Sequence, residues 1–161
     1  MLRTLALLAA LLLAVVPLML LVAGQAGLLS GTRPARLGVI DGALQPVRSP
    51  QARNEVNSRA ETADHRIAPI AFASGDADGT RTWARLREAL RAAPGVAVVR
   101  DDGRYLHAEC TTRWLKFTDD LELLRDPAAG VVHLRSASRL GSRDFGVNRA
   151  RIEALRAAVA R

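Results

Sequence analysis

Two histidines, a set of carboxylates and a run of arginines carry whatever chemistry this chain of 161 residues can do. His107, Glu109, Asp120 and His133 are of the types that hold metals or transfer protons when they converge. Arg135-Ser136-Ala137-Ser138-Arg139 sets two guanidinium forks on one face of an extended segment, a geometry suited to a phosphate or carboxylate. Asn148 and Arg149 follow at the start of a helix, where backbone N–H groups and the helix dipole favour an anion. Gly141 and Gly146 allow close backbone approach there. One reading is therefore an anion site made of Arg135, Ser136, Ser138, Arg139, Asn148 and Arg149. A second is a structural network in which Asp119, Asp120, Glu122, Asp144 and Arg151 neutralise those donors and pin strands to the last helix. A third is catalysis from the two histidines, although no His-Glu-x-x-His or Gly-x-Ser-x-Gly motif is present. The single cysteine, Cys110, excludes an intrachain disulfide and a cysteine zinc cage. No metal or cofactor is expected.

A sheet must position these residues. Val96–Arg100, Tyr105–Thr112, Lys116–Leu124 and Val131–Arg139 read as strands. Asp101-Asp102-Gly103 and Asp126–Gly130 are turns between them, so the strands pair consecutively as an antiparallel meander. Alternation gathers Tyr105, His107, Glu109, Asp120, Glu122, His133, Arg135 and Arg139 on one face, read as the open one. Leu106, Cys110, Asp119, Leu121, Leu123, Leu134, Ser136 and Ser138 share the other. Cys110 should thus be a buried, inert thiol. Asp119 needs a partner such as Arg149 to be tolerated in that core.

Trp83, Leu86, Leu90 and Ala93 recur at helical spacing, predicting a helix over roughly 80–93 that Pro94-Gly95 stops. Ile152, Leu155 and Val159 predict another from about Phe145, with Asp144 as its N-cap. Ile67–Phe72 contains Pro69 and can be an edge strand at most. The fold class is α+β: an antiparallel sheet of four to five strands with two helices on one face.

Before all this, Leu5–Gly24 runs without a charge. Twenty helical residues span roughly 30 Å, the thickness of a bilayer's apolar core, so the segment reads as one transmembrane helix rather than a cleaved signal. Residues 25–66 are rich in Gly, Pro, Ser and Arg and read as a tether. The net charge of +7 is concentrated early: residues 1–59 hold six arginines and two acids. Arg33 and Arg36 form a collar that suits anionic headgroups. The basic residues lack interleaved aromatics, which speaks against nucleic acid. Arg3 before the apolar run and Arg33 and Arg36 after it leave the positive-inside rule undecided. The short N-terminal tail favours export of the rest.

From Tyr105 the order of motifs is distinctive. Tyr105-Leu-His-Ala-Glu109, Phe117-Thr-Asp-Asp-Leu-Glu122, Val132-His-Leu-Arg-Ser-Ala-Ser-Arg139, Gly141, Asp144-Phe-Gly-Val-Asn-Arg149 and Arg151 follow one another. This closely resembles the domain of unknown function 1499 family of bacteria and plastids. That family carries an Asp-Asp-x-Glu strand and an Arg-Ser-Ala-Ser-Arg strand leading into Gly-x-x-Asp-x-Gly-x-Asn-Arg. The resemblance covers about residues 50–161. Family members commonly enter the domain through a Pro-Asn-x-Val-Ser-Ser segment, often with a cysteine; here Ala52-Arg-Asn-Glu-Val-Asn-Ser58 stands instead. The resemblance implies a fold and an envelope location rather than an activity. The chain thus divides into an anchor (1–26), a linker (27–49) and a domain (50–161). The expectation is a single-pass protein of the bacterial cytoplasmic membrane with a periplasmic, non-catalytic binding or structural module. The alternative is an enzyme using His107, Glu109, Asp120 and His133.

Overall fold

The computed structural model describes residues 1–160. In chain order the elements are α1 (Leu2–Gln25), β1 (Val39–Ile40), β2 (Ala43–Leu44), β3 (Glu55–Asn57), β4 (Ile70–Ala71), α2 (Thr80–Ala92), β5 (Val96–Asp101), β6 (Tyr105–Thr111), β7 (Thr118–Asp126), β8 (Val131–Ser138) and α3 (Val147–Val159).

β5 to β8 form the expected antiparallel meander. The first turn is built by aspartate side chains: Asp102 Oδ1 accepts from the Arg104 and Tyr105 N–H groups, and Asp101 Oδ1 from Gly103. Asp126 does the same for the second, accepting from Ala129 N–H. The sheet has six strands, because β3 and β4 both pair with the outer edge of β8, β4 along Val131–Val132 and β3 along Arg135–Ala137. β4 is the foreseen edge strand, and it starts just after Pro69, where no ladder N–H is needed. β3 lies in the stretch whose composition reads as tether. Three residues are too few for a period to show.

α2 and α3 lie together on the apolar face. Trp83, Leu86 and Leu90 of α2 and Ile152, Leu155 and Val159 of α3 pack against Leu106, Ala108, Leu121, Leu123, Val132 and Leu134. Asp76 starts α2, accepting from the Arg81 and Thr82 N–H groups and the Thr82 hydroxyl. Asp144 serves α3 from two residues before the Gly146 N-cap, accepting from Gly146 and Asn148 N–H.

The opposite face is not open. Residues 28–49 return across it as a strap bearing the β1–β2 hairpin, and Leu44 packs there with Tyr105 and Leu124. Where an extended tether docking only near its end is expected, the segment lies along the sheet, which explains why β7 is buried from Thr118 to Leu124 on both faces. Gly42 supplies the positive φ of the strap hairpin, and Asp41 takes the other left-handed position. α1 is long and apolar enough to cross a membrane. Its end is seated on the domain: Gln25 Nε2 donates to the Trp114 carbonyl at 2.8 Å. A Cβ on Gly24 would lie 2.5 Å from the Leu115 carbonyl oxygen, so the seat requires glycine.

Candidate functional site

The polar face holds two ion clusters beneath the strap. In the first, Arg135 is 1% exposed and forks onto two carboxylates, Nε to Glu55 Oε1 at 2.6 Å and Nη1 to Glu122 Oε2 at 2.6 Å. Tyr105 donates its hydroxyl to Glu122 Oε1 at 2.8 Å, and the strap's Gly38 N–H donates to the same oxygen at 2.6 Å. Arg48 N–H reaches Glu55 Oε2 at 3.2 Å. Burial alone would lower the Arg135 pKa, but the two carboxylates outweigh it and hold the guanidinium above its ordinary value. Burial and the Glu122 charge push the Tyr105 phenol up, which keeps it a donor.

In the second cluster Arg139 is bidentate on Asp120, at 2.9 and 2.7 Å, and also bonds Glu109. Arg33 of the strap closes on Glu109 at 2.7 Å. His107 Nε2 lies 2.9 Å from Asp120 Oδ1. Burial opposes the Asp120 charge, yet the Arg139 and His107 hydrogen bonds bring its pKa down to about 2. The carboxylate is therefore an acceptor only, and His107 Nε2 carries the proton they share. Glu109 is lowered too, the Arg139 and Arg33 bonds overriding burial.

A third network lies on the helix side. Asp119 pairs with Arg151 at 2.6 Å, which corrects the expectation of Arg149. Arg149 lies too far round the helix and donates to the Asp64 and Arg66 carbonyls. Asn148 is fully buried and joins three segments. Its Oδ1 accepts from Ser136 Oγ and Arg151 Nη1, and its Nδ2 donates to Ser138 Oγ and the Asn54 carbonyl.

Beside this network a cavity of about 330 Å³ opens between the β6–β7 turn, the end of β8 and the start of α3. Phe117, Leu140, Phe145 and Val147 give it apolar walls; Ser138 and Arg143 stand at its edge. It adjoins the seat of α1, since Gly31 packs on Arg139 and Leu140.

The model of the family described as "Protein of unknown function (DUF1499)" matches residues 47–159, more than two thirds of the chain. The chain belongs to the DUF1499 family. No curated protein and no solved structure matches it. The DUF1499 match begins three residues before the expected boundary and takes in β3, the segment where this chain departs from the family's usual entry motif.

Of the residues singled out from the DUF1499 motifs, the fold joins Asp119, Ser136, Ser138, Asn148 and Arg151, and separately Asp120 with Arg139. Arg135 has its Nε and Nη1 taken by Glu55 and Glu122 while its buried Nη2 has no partner, and both arginine clusters lie under the strap. His107, Glu109 and Asp120 meet as parity requires. His133 does not join them: it sits at the other end of β8, 3.5 Å from Asp126 and 3.2 Å from Ser58 Oγ, with its pKa lowered by burial and by Arg59. Among the described residues no three His, Cys, Asp or Glu side chains converge to hold a metal. Cys110 is buried, and burial pushes its thiol up to about 11. Arg33, expected in a headgroup collar, bonds Glu109; the roles of Glu55, His65 and Asn54 and of the strap's Gly38 and Arg48 are not visible in the sequence. His65 is buried between the Glu55 and Pro50 carbonyls. The polar face as read from alternation already holds three carboxylates, Glu109, Asp120 and Glu122, for its two arginines, so its charge gave no signal that Glu55 would join it.

Proposed function

We propose that this DUF1499 protein is a non-catalytic binding module held at the outer surface of the bacterial cytoplasmic membrane by α1, with its domain in the periplasm. The observation that carries this is the seat of α1. A cleaved signal needs no shape complementarity to the mature domain, whereas Gly24 is buried against Leu115 and Gln25 bonds Trp114. Cleavage after Ala26 would discard both contacts. The strap then continues the attachment, through Arg33, Gly38 and Arg48, across the polar face.

The ion clusters serve that architecture. Each arginine at their centre is matched by the protein's own carboxylates, so their work is to lock β3, β7, β8 and the strap together. An external ligand has a better place in the apolar cavity at the α1 side, where Ser138 and Arg143 supply the polar edge. The aromatic and basic residues around the α1 seat suit the headgroup layer: Trp114 is 63% exposed, with the Arg113 guanidinium 4.9 Å from its ring centre.

The test uses the full-length protein expressed in a bacterium. Its intact mass should include α1, it should stay with membranes after alkaline carbonate washing, and protease added to spheroplasts should digest the domain. A soluble product beginning near residue 27 would overturn the reading. So would a domain protected in intact spheroplasts.

A further inference from the structure

We propose that the cavity holds one acyl chain of a membrane phospholipid, with Arg143 taking the headgroup phosphate. This rests on the reading that α1 stays in the bilayer and deepens it.

Three observations converge on a lipid as occupant. The first is the character of the walls. Phe117, Leu140, Phe145 and Val147 all combine exposure with a place in the cavity lining. Phe145 is 95% exposed and sits at φ +54°, in the left-handed region that a bulky side chain normally avoids. Water gives no reason to hold a phenyl ring there, and an apolar occupant does. The cavity volume of about 330 Å³ lies at the small end of ligand pockets, roughly 300–1,000 Å³. That suits a length of chain rather than a whole amphiphile. Each methylene it buries contributes about 0.8 kcal/mol.

The second is position. The cavity's Leu140 touches Gly31, and the β6–β7 turn that supplies Thr112 and Phe117 also carries Trp114 and Leu115, on which α1 ends. With α1 spanning the membrane, the mouth lies beside the lipid that would fill it, so no carrier and no free aqueous ligand is needed.

The third is charge. Arg143 lines the cavity and makes no ion pair among the described residues, unlike the arginines of the three networks. Two acids also line it. Asp119 is matched by Arg151, and Asp144 accepts two helix N–H groups. An apolar slot with a single unmatched cation at its edge fits the boundary between an acyl chain and its phosphate.

The experiment reconstitutes the full-length protein in phosphatidylethanolamine vesicles doped with phosphatidylglycerol carrying a mid-chain diazirine. After irradiation the labelled peptides are mapped. Label is expected on Phe117, Leu140, Phe145 or Val147. Phe145→Gly removes a wall while relieving the left-handed strain, so it should fold at least as well as the parent, yet lose label about tenfold, the effect of about 1.4 kcal/mol of lost contact. Val147→Trp, which fills the slot, should do the same. Arg143→Gln should weaken the phospholipid label while leaving labelling by a diazirine diacylglycerol, which has no phosphate, unchanged. Label confined to α1 and Trp114 would overturn the lipid slot and leave the anchored module standing. Equal labelling of parent and Phe145→Gly would likewise overturn the slot. Protein that fails to enter the vesicles with α1 would overturn both.

Discussion

Arg135 offers the sharpest test of how this fold is held. Arg135→Met keeps much of the side-chain volume and removes the guanidinium. Glu55 and Glu122 would then share a buried site with no cation between them. Removing one partner of a buried pair costs about 3–5 kcal/mol, most of it the penalty on the charge left behind. Here the Tyr105 hydroxyl and Gly38 N–H still serve Glu122, and Arg48 lies 3.6 Å from Glu55. The lower end, about 3 kcal/mol, is the better figure. For a domain of this size each kcal/mol moves the thermal midpoint by about 4–8 °C, so the variant should melt at least about 12 °C lower. Urea unfolding of the full-length protein in detergent, read by the buried Trp83, measures it directly. The control is Arg135→Met/Glu55→Gln/Glu122→Gln, which keeps acceptors for Tyr105, Gly38 and Arg48 but removes both charges. It should recover more than half of the loss. A single variant within about 1 kcal/mol of the parent would mean that the cluster behaves like an exposed ion pair. A triple variant no better than the single would mean that the loss was never electrostatic. Either result refutes the reasoning.

Other expectations follow from the same geometry. Asp120 has a folded pKa of about 2 against an ordinary 3.8, so its contribution, on the order of 2 kcal/mol, is present above about pH 4 and lost as the pH falls toward 2. Asp120→Asn should be less stable than the parent at neutral pH, and the gap should close in acid, as denaturation curves across that range will tell. Asn148→Ala removes four hydrogen bonds from the interior and leaves the Ser136 hydroxyl without its acceptor, although Arg151 keeps Asp119 and the Asn54 carbonyl keeps the Ser138 N–H; it should cost about 2–3 kcal/mol in the same assay. The Cys110 thiol, pushed up to about 11, should resist alkylation in native protein at about pH 8 and react promptly once urea unfolds it; rapid native labelling would contradict the burial. Gly24→Ala should lift α1 off Leu115 and speed trypsin cleavage after Arg36, since Pro34 protects the bond after Arg33, while leaving the domain's unfolding midpoint unchanged.

The meander was legible because its turns are local and its faces alternate. Asp102 and Asp126 mark their turns by side chains that bond backbone two or three residues away. The parity that put His107, Glu109, Asp120 and Arg135 together is a property of one strand at a time. What covers that face was not legible. The strap's contacts come from single groups, Arg33, the Gly38 N–H and Arg48, in a stretch with no apolar period. β3 is three residues long, and Glu55 reads in isolation as an ordinary surface acid. For Asp119 the sequence demanded a cation without saying which. Arg149 and Arg151 differ by two positions on α3, about 200° of helical turn, and only the docking angle of the helix selects Arg151.

The strap has a kinetic consequence. Its partners lie far along the chain: Arg33 waits for Glu109, Gly38 for Glu122, and Arg48 for Ser138. These segments are made first and wait for β6, β7 and β8 in turn. Loop-closure entropy delays such distant contacts, whereas the β5–β8 hairpins form between neighbours. Until the strap closes, the face bearing Glu109, Asp120, Glu122, Arg135 and Arg139 stands in water as a row of hydrated charges. Closure therefore sheds that water late, and mutations in the strap should act chiefly on the rate of unfolding, with little effect on the rate of folding.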